Sequence, residues 1–476
     1  MTAPLLPPGF TVRLAPSTHT CADGAMLVGG SGAVLRLRPR ARMVLADDGT
    51  VVARDPDSST VARLLLDRGL ADPVLDHVPP DEQVDDVTVV VPVRDRPQQL
   101  ARLLSSLPGL PVVVVDDGSA DPGPTRAVAQ EFGARLVRHP RSAGPAAARN
   151  TGLSAVTTPF VAFLDSDVRP LPGWLGRLRR HLDDPAVGLV GPRVLGAEPR
   201  PDDSWLCRYE AARSSLDLGA TPGPVQPLGR VAYLPSAAML ARRSALGAGF
   251  DERMHVAEDV DLVWRLHDDG WRVRYEPAAA VRHDHRTSLL PWLRRKAYYG
   301  TGAAPLAARH GSDVAPLVLT PWTAALAVAL LAQRRWSLPV AGLVTAAVTV
   351  RIARRLHDDD HPLRTASSLT ALGAVAAVQQ TGSALTRHFW PLAALLSLRS
   401  PRARHAVLVA AVADALVDHR RVRPDLDPLR FLVARRLDDL AYGTGLWLGA
   451  ARARSPRALV PAFRGITGIS SRRGTA

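Results

Sequence analysis

Between residues 85 and 290 the chain alternates short, uniformly apolar runs with stretches of helical period. Residues 87–91 are apolar but for Thr88, up to Pro92, residues 112–115 are four valines, and residues 160–164 are apolar throughout. Runs of this length without polar alternation predict strands covered on both faces. Between them, residues 97–107, 124–132 and 143–156 carry the helical pattern. Another helix opens at Glu258, with Val260, Val263 and Trp264 at helical spacing. The β-α-β-α order predicts an α/β domain with a mostly parallel, doubly covered sheet.

The flanking regions differ. Residues 11–14, 25–28 and 34–37 predict short strands, with Gly29-Gly30-Ser31-Gly32 as the turn between the last two and a helix over residues 58–69. Residues 1–80 therefore predict a small α+β module, joined to the sheet domain by an acidic linker at residues 81–86. That glycine turn lacks the Lys-Ser/Thr of a phosphate loop, and no G-x-G-x-x-G opens a helix after the first strand, which disfavours a dinucleotide oxidoreductase. From residue 291 the chain is rich in Ala, Leu and Val. Residues 314–333 carry no charge and are long enough to span a bilayer, residues 337–350 are shorter, and residues 366–386 are diluted by Ser, Thr and Gln. Arginines border these stretches on both sides (Arg309, Arg334, Arg335, Arg351, Arg354, Arg355), whereas a multi-pass bundle keeps its basic loops on one side. The pattern favours amphipathic or re-entrant helices on the cytoplasmic face of the membrane over a soluble helical cap or true spans.

Composition sharpens this division. At 476 residues, two or three domains are expected. Residues 286–476 hold 27 Lys+Arg against 10 Asp, a net +17, while residues 1–285 carry a net −3. A basic region interleaved with apolar helices predicts an anionic membrane surface as partner. No interleaved Arg/aromatic pattern of the RNA-binding kind is present, so nucleic acid is not expected. Two cysteines, Cys21 and Cys207, cannot build a disulfide framework or a zinc cluster and fit a reducing compartment. The N-terminus lacks a basic segment followed by an apolar one, so no secretory signal is expected.

The chemistry lies where the apolar runs end. Asp116-Asp117-Gly118-Ser119 follows the valines, Asp165-Ser166-Asp167 follows residues 160–164, and Glu258-Asp259 opens the later helix. Open α/β sheets collect ligands at the carboxyl ends of their strands. Several carboxylates with one histidine, His283, suit a hard divalent cation that bridges phosphate oxygens. Each motif has a plainer explanation as well. Asp116-Asp117 could cap a helix, Asp165-Ser166-Asp167 could be a solvated turn, Glu258-Asp259 could complement a helix dipole, and His283 could be a core histidine.

Order and spacing bring the motifs together. The run Val89-Val90-Val91-Pro92-Val93-Arg94-Asp95-Arg96, then Asp116-Asp117-Gly118-Ser119, Gly144-Pro145-Ala146-Ala147-Ala148-Arg149-Asn150, Asp165-Ser166-Asp167, Gly249-Phe250-Asp251-Glu252, Glu258-Asp259-Val260-Asp261 and Val281-Arg282-His283 resembles the family 2 glycosyltransferases of the GT-A fold. The resemblance implies that Pro92, Arg94, Asp116 and Asp117 line a nucleoside pocket. It places Arg149 near the sugar or diphosphate, and Asp165 and Asp167, with His283, on Mg²⁺ or Mn²⁺. Asp259 is implied as catalytic base, with Glu258 orienting it or contacting the acceptor, and Asp165 as a shared nucleotide-sugar contact. One in-line displacement would invert the anomer.

Residues 1–80 resemble a winged-helix module of the PqqD-like type, which implies capture of a peptide by strand addition. With Tyr298-Tyr299-Gly300-Thr301-Gly302 and Arg387-His388-Phe389-Trp390-Pro391 in the basic tail, the whole chain resembles the mycofactocin-system glycosyltransferases of actinobacteria. That resemblance implies glucose transfer from UDP-glucose to a peptide-derived redox cofactor or its precursor, giving a β-1,4-linked chain. Two rivals stand beside it: a cell-envelope transferase with a lipid-linked or polysaccharide acceptor, and a non-catalytic scaffold for peptide-modifying enzymes. The three clustered carboxylates Asp165, Asp167 and Asp259 count against the scaffold.

Overall fold

The computed structural model describes residues 4–21, 24–198, 200–284, 288–357 and 359–463. It divides into two units, Met1–His285 and Arg286–Ala476. The first begins with two three-stranded sheets. Strands β1 (Thr11–Leu14), β5 (Thr50–Val52) and β6 (Ala71–Pro73) form one, in the order β5-β1-β6, and β2 (His19–Cys21), β3 (Met26–Val28) and β4 (Val34–Arg36) form the other. Helix α1 (Pro39–Arg42) lies between them in sequence. Helix α2 (Pro56–Asp67) starts at a capping box in which Asp55 and Ser58 satisfy each other's backbone N–H groups. Its Ala62, Leu65 and Leu66 close a small core with Val12, Leu27 and Val51.

Ion pairs join this module to the domain that follows. Arg63 of α2 forms a bidentate, buried pair with Asp184, one of its bonds measuring 2.7 Å. Asp67 accepts from Arg272 at 2.8 Å, and Asp72 from Arg274 at 3.1 Å. Burial of the first pair makes it the expensive one to break.

The central sheet has nine strands: β7 (Val87–Val93), β8 (Val112–Asp116), β9 (Arg135–Arg138), β10 (Phe160–Leu164), β11 (Val168–Pro170), β12 (Val187–Gly196), β13 (Gly223–Val225), β14 (Ala238–Arg242) and β15 (Arg272–His283). Their order is β11-β15-β12-β14-β10-β7-β8-β9, with β13 also paired to β15. Strands β9, β8, β7 and β10 are parallel, but β14 runs antiparallel between β10 and β12, and β11 and β13 run antiparallel to β15. The sheet is therefore mixed rather than mostly parallel. The expected strand at 87–91 does not stop at Pro92. Val89 donates to Pro111 O and Val93 accepts from Asp117 N, so alternate residues face β8 and Pro92 faces β10. There the ladder has already ended at Phe163↔Val90, and the missing N–H removes no bond.

Helices α3 (Pro97–Leu104), α4 (Gly123–Glu131), α5 (Pro145–Ser154), α6 (Trp174–His181), α7 (Trp205–Ala212) and α8 (Glu258–Asp268) complete the unit. Leu100 and Leu103 of α3 and Leu175 and Leu178 of α6 are fully buried in the core built on Val89, Val91, Ala162 and Leu164. On the other face, a Cβ at Gly152 of α5 would lie 2.2 Å from Val90 Cγ1. Only glycine lets α5 settle that close to β7, which fixes Arg149 and Asn150 over the strand ends.

The second unit is helical: α9 (Leu289–Thr301), α10 (Ala303–His310), α11 (Pro321–Ala332), α12 (Ser337–Arg355), α13 (Pro362–Ser383), α14 (Trp390–Arg399), α15 (Pro401–Val422) and α16 (Pro428–Arg452). The charge-free stretch 314–333 is not one span. It is divided into a short strand and the 12-residue α11, which Pro321 starts. Among the described residues, α12 alone is long and apolar enough to cross a membrane. Helices α9 and α16 cross at glycines: a Cβ on Gly445 would sit 1.8 Å from Ala297 O, and one on Gly300 2.2 Å from Tyr442 O. Residues 464–476 of the basic tail lie outside the described residues.

Replacing Arg63 by Met leaves Asp184 buried without its cation. Urea denaturation should show a loss of about 3–5 kcal/mol.

Candidate active site

Chain order reverses between β7 and β10, so the crevice at their carboxyl ends is the topological switch point of the parallel block. The loops after β7, β8 and β10, helix α5, the first turn of α8 and the end of β15 supply its side chains. Two loops are bolted together first. Asp95, in a left-handed conformation (φ 54°), donates its N–H to Ser119 Oγ at 2.9 Å and accepts from Ala120 N at 2.8 Å. Gly118 has φ 70°, and a Cβ there would lie 2.5 Å from Ser142 N. The glycine of the Asp-Asp-Gly-Ser motif is thus demanded by close backbone approach as well as by φ.

The two aspartates of that motif are structural in their present contacts. Asp116 is fully buried, accepting from Ser119 N and from Arg138, both at 2.9 Å. Asp117 accepts from Ser142 Oγ (2.6 Å), Ala143 N (2.8 Å), Gly144 N (3.0 Å) and His139 Nδ1 (2.8 Å). Burial opposes its charge, but these donors outweigh burial and hold the carboxyl below its ordinary range. Both oxygens thereby hold the residues that lead into α5. Pro92 sits at the crevice end of β7. Arg94 is exposed, with Asp95 3.5 Å away.

Arg149, at the heart of the site, is buried. It donates to Asp165 Oδ1 at 2.6 Å and to Glu258 Oε1 at 3.0 Å. Burial works against its charge, but Asp165 and Glu258 more than compensate, so its pKa is raised further. Its guanidinium lies 5.4 Å from the centre of the Phe250 ring. Asn150, the next residue, holds that ring's backbone from both sides, accepting from Phe250 N at 2.9 Å and donating to Phe250 O at 2.8 Å. Gly249 (φ 76°) makes room, since a Cβ there would lie 2.3 Å from Asn150 Oδ1.

Asp259 stands beside this bridge. Ala257 takes a left-handed conformation (φ 64°), uncommon without glycine, and starts α8 so that Glu258 and Asp259 occupy its first turn. Asp259 accepts from Ser236 N at 3.0 Å and Val260 N at 2.8 Å. Burial and then the charge of Glu258 push its carboxyl up to about 6, against the pull of Ser236 N, Arg149 and Val260 N. It retains partial solvent access. A carboxyl poised near neutrality suits a general base.

Asp167 and His283 also meet: His283 Nε2 lies 3.6 Å from Asp167 Oδ1, and Arg96 pairs with Asp167 Oδ2. Among the described residues, no three His, Cys, Asp or Glu side chains gather closely enough to hold an ion alone. Asp167 and His283 form a two-residue donor pair of the type that suits a divalent cation whose remaining ligands come from substrate phosphates. The structure thus brings together Arg149, Asp165, Glu258 and Asp259, and pairs Asp167 with His283. It leaves Arg94 outside that network. Arg96, His139, Asn150 and Ser236 were not identified from sequence. Arg96 and Asn150 sit inside the quoted motifs, which is the available signal, whereas His139 and Ser236 lie in segments without one.

Comparison with known proteins identifies the family. The model of glycosyl transferase family 2 matches residues 88–248. The pre-mycofactocin glycosyltransferases of Mycobacterium tuberculosis strains CDC 1551 and H37Rv are 47% identical over 98% of this chain and 100% of their own length. The succinoglycan biosynthesis protein ExoO of Rhizobium meliloti is 37% identical over 45% of the chain and 66% of its own. A solved mannosyltransferase of Pyrobaculum calidifontis, in complex with GDP-Man and Mn²⁺, covers 64% of this chain and 89% of its own at 20% identity and a TM-score of 0.36. The chain belongs to the family of the pre-mycofactocin glycosyltransferases, and its sheet domain carries the match to glycosyl transferase family 2.

Glu258 raises the Asp259 carboxyl by its charge, so Glu258→Gln should lower that pKa from about 6. The acid limb of kcat/KM should then move to lower pH. An unmoved or higher limb would show that Glu258 does not govern the base.

Proposed function

We propose that this family member moves glucose from UDP-glucose to a peptide-derived acceptor, pre-mycofactocin, with inversion at the anomeric carbon, and repeats the step to build a β-1,4-linked chain. The observation that carries the reaction type is the raised carboxyl of Asp259 beside a buried arginine that bridges two further carboxylates. The acceptor rests on the name of the relatives that match over nearly the whole chain. UDP, glucose and the linkage rest on the resemblance.

An acceptor hydroxyl has a pKa far above 7 and needs a base as it attacks. Asp259 accepts that proton, and the Ser236 and Val260 N–H groups hold its carboxylate in place. Glu258 is tied to Arg149 and sets the electrostatics of the base rather than taking the proton itself. On the donor side, the leaving nucleoside diphosphate gains negative charge as the glycosidic bond lengthens, and the anomeric carbon gains oxocarbenium character. Arg96 and Arg149 supply positive charge for that group, each now resting on a carboxylate of the Asp165/Asp167 pair. Asp165, Asp167 and His283 would hold Mg²⁺ or Mn²⁺, which when bound neutralises diphosphate oxygens. The loop Arg94-Asp95-Arg96 and Pro92, with the Asp116/Asp117 loop, would frame the nucleoside.

Purified protein, UDP-glucose, Mn²⁺ and the precursor should give successive hexose additions by mass spectrometry. Asp259→Asn should lower kcat by about 10²–10⁴-fold. Since the carboxylate is the active form and its pKa is about 6, kcat/KM should rise with pH, about tenfold per unit, through the range below 6 and level off above it. Chelation of divalent metal should abolish transfer, and Asp167→Asn should raise the metal concentration needed to restore it. Donor turnover without transfer to the precursor would overturn the acceptor and leave the transferase standing. Full activity in Asp259→Asn would overturn the base.

A further inference from the structure

The helical second unit exposes an unusual number of large apolar side chains. Of the 31 large apolar side chains exposed among the described residues, 28 lie beyond residue 285. Leu338 is 74% exposed, Leu343 70%, Leu398 80% and Val328 66%. Beside buried apolar side chains such as Trp292, Phe431 and Leu446, the interior holds charge: Arg435 donates to Asp439 at 2.6 Å, and Arg387 and Arg436 reach the same carboxylate at 3.2 and 3.0 Å. Exposed apolar surface on this scale marks an interaction face. Charges paired inside an apolar-surfaced helix bundle are the arrangement that hydrocarbon surroundings favour.

One end of this unit specifies the partner. Gln333, just after α11, donates to Arg402 O at 2.7 Å and contacts His405 Nδ1 at 2.9 Å, which ties the α11–α12 turn to the start of α15. That juxtaposition gathers Arg334 and Arg335 from the turn with Arg402 and Arg404 from α15, all four exposed. Residues 331–340 and 396–406 contain no Asp or Glu. Trp336 (46% exposed), Leu338 and Leu398 stand in the same two segments. Basic side chains beside an exposed tryptophan and leucines form the belt that sits at a membrane interface, with arginines on headgroups and apolar side chains in the acyl region. Helix α11 has 12 residues, about 18 Å, too short for a hydrocarbon core of about 30 Å.

We infer that the α11–α12 turn and the start of α15 form a docking surface for an anionic lipid bilayer, with Arg334, Arg335, Arg402 and Arg404 on the headgroups and Trp336 and Leu338 inserted below them. The inference stands independently of the reaction assigned to the catalytic domain. It is tested by flotation of the full chain with vesicles of phosphatidylcholine alone and of equal parts phosphatidylcholine and phosphatidylglycerol. Binding to the anionic vesicles should be about tenfold stronger or more, and should fall as salt is raised. Arg334→Glu with Arg335→Glu should remove the preference for anionic vesicles, and Trp336→Ser with Leu338→Ser should weaken binding to them at low salt. Both pairs change exposed residues, so far-UV circular dichroism and donor turnover should match the parent protein. Equal binding to both vesicle types, or none to either, would overturn the inference. So would a concentration-dependent dimer that the Trp336/Leu338 variant abolishes while vesicles bind nothing, since a second copy would then be the occupant.

Discussion

The catalytic domain depends on one buried guanidinium. Arg149 spans from Asp165 at the end of β10 to Glu258 at the start of α8. It therefore connects the strand end that would carry the donor diphosphate to the helix that carries the proposed base, Asp259. Without it, two carboxylates would face a site of low polarity uncompensated, and the charge of Glu258 would push Asp259 up unchecked. With it, Glu258 and Asp165 each have a cationic partner, and the Asp259 carboxyl stays at about 6. The same cation thus holds the site together and tunes it.

Glycine sets where that cation can be. Gly152 allows α5 to lie on β7, Gly118 allows the loop after β8 to meet residues 141 and 142, and Gly249 allows the Phe250 loop to close on Asn150. Around these close approaches, polar side chains are fully committed. Asp117 and Asn150 use their atoms to hold backbone, which leaves the working carboxylates and arginines as the groups free to respond to a substrate. Packing and chemistry are divided residue by residue within each motif: in Asp116-Asp117-Gly118-Ser119 all four make structural contacts.

Much of this was legible in the sequence because period and position carry it. The valines of β8, the apolar run of β10 and the helical spacing after Glu258 place three carboxylate motifs at element ends, where an α/β sheet binds ligands. Arg96 and Ser236 were less visible. Their roles arise from loops that meet only once the sheet is assembled, and no periodicity marks such meetings. The antiparallel β14 was hidden for a related reason: a buried strand looks the same in either direction. In the second unit, absence of charge over residues 314–333 suggested length, but Pro316 and Pro321 interrupt the stretch before it can become one helix. The assembled helices also show what a linear count could not, that basic side chains from two distant segments share one end.

The central claim is a single displacement with Asp259 as base. Glu258 and Asp165 are both tied to Arg149, which places neither of them as a nucleophile on the sugar. The most direct measurement is the anomeric configuration of the first transferred sugar, read by proton NMR on product made from an α-linked donor. A β-linked sugar is the predicted result. An α-linked sugar would require two displacements and a covalent intermediate, and would contradict the roles assigned to Arg149, Glu258 and Asp259.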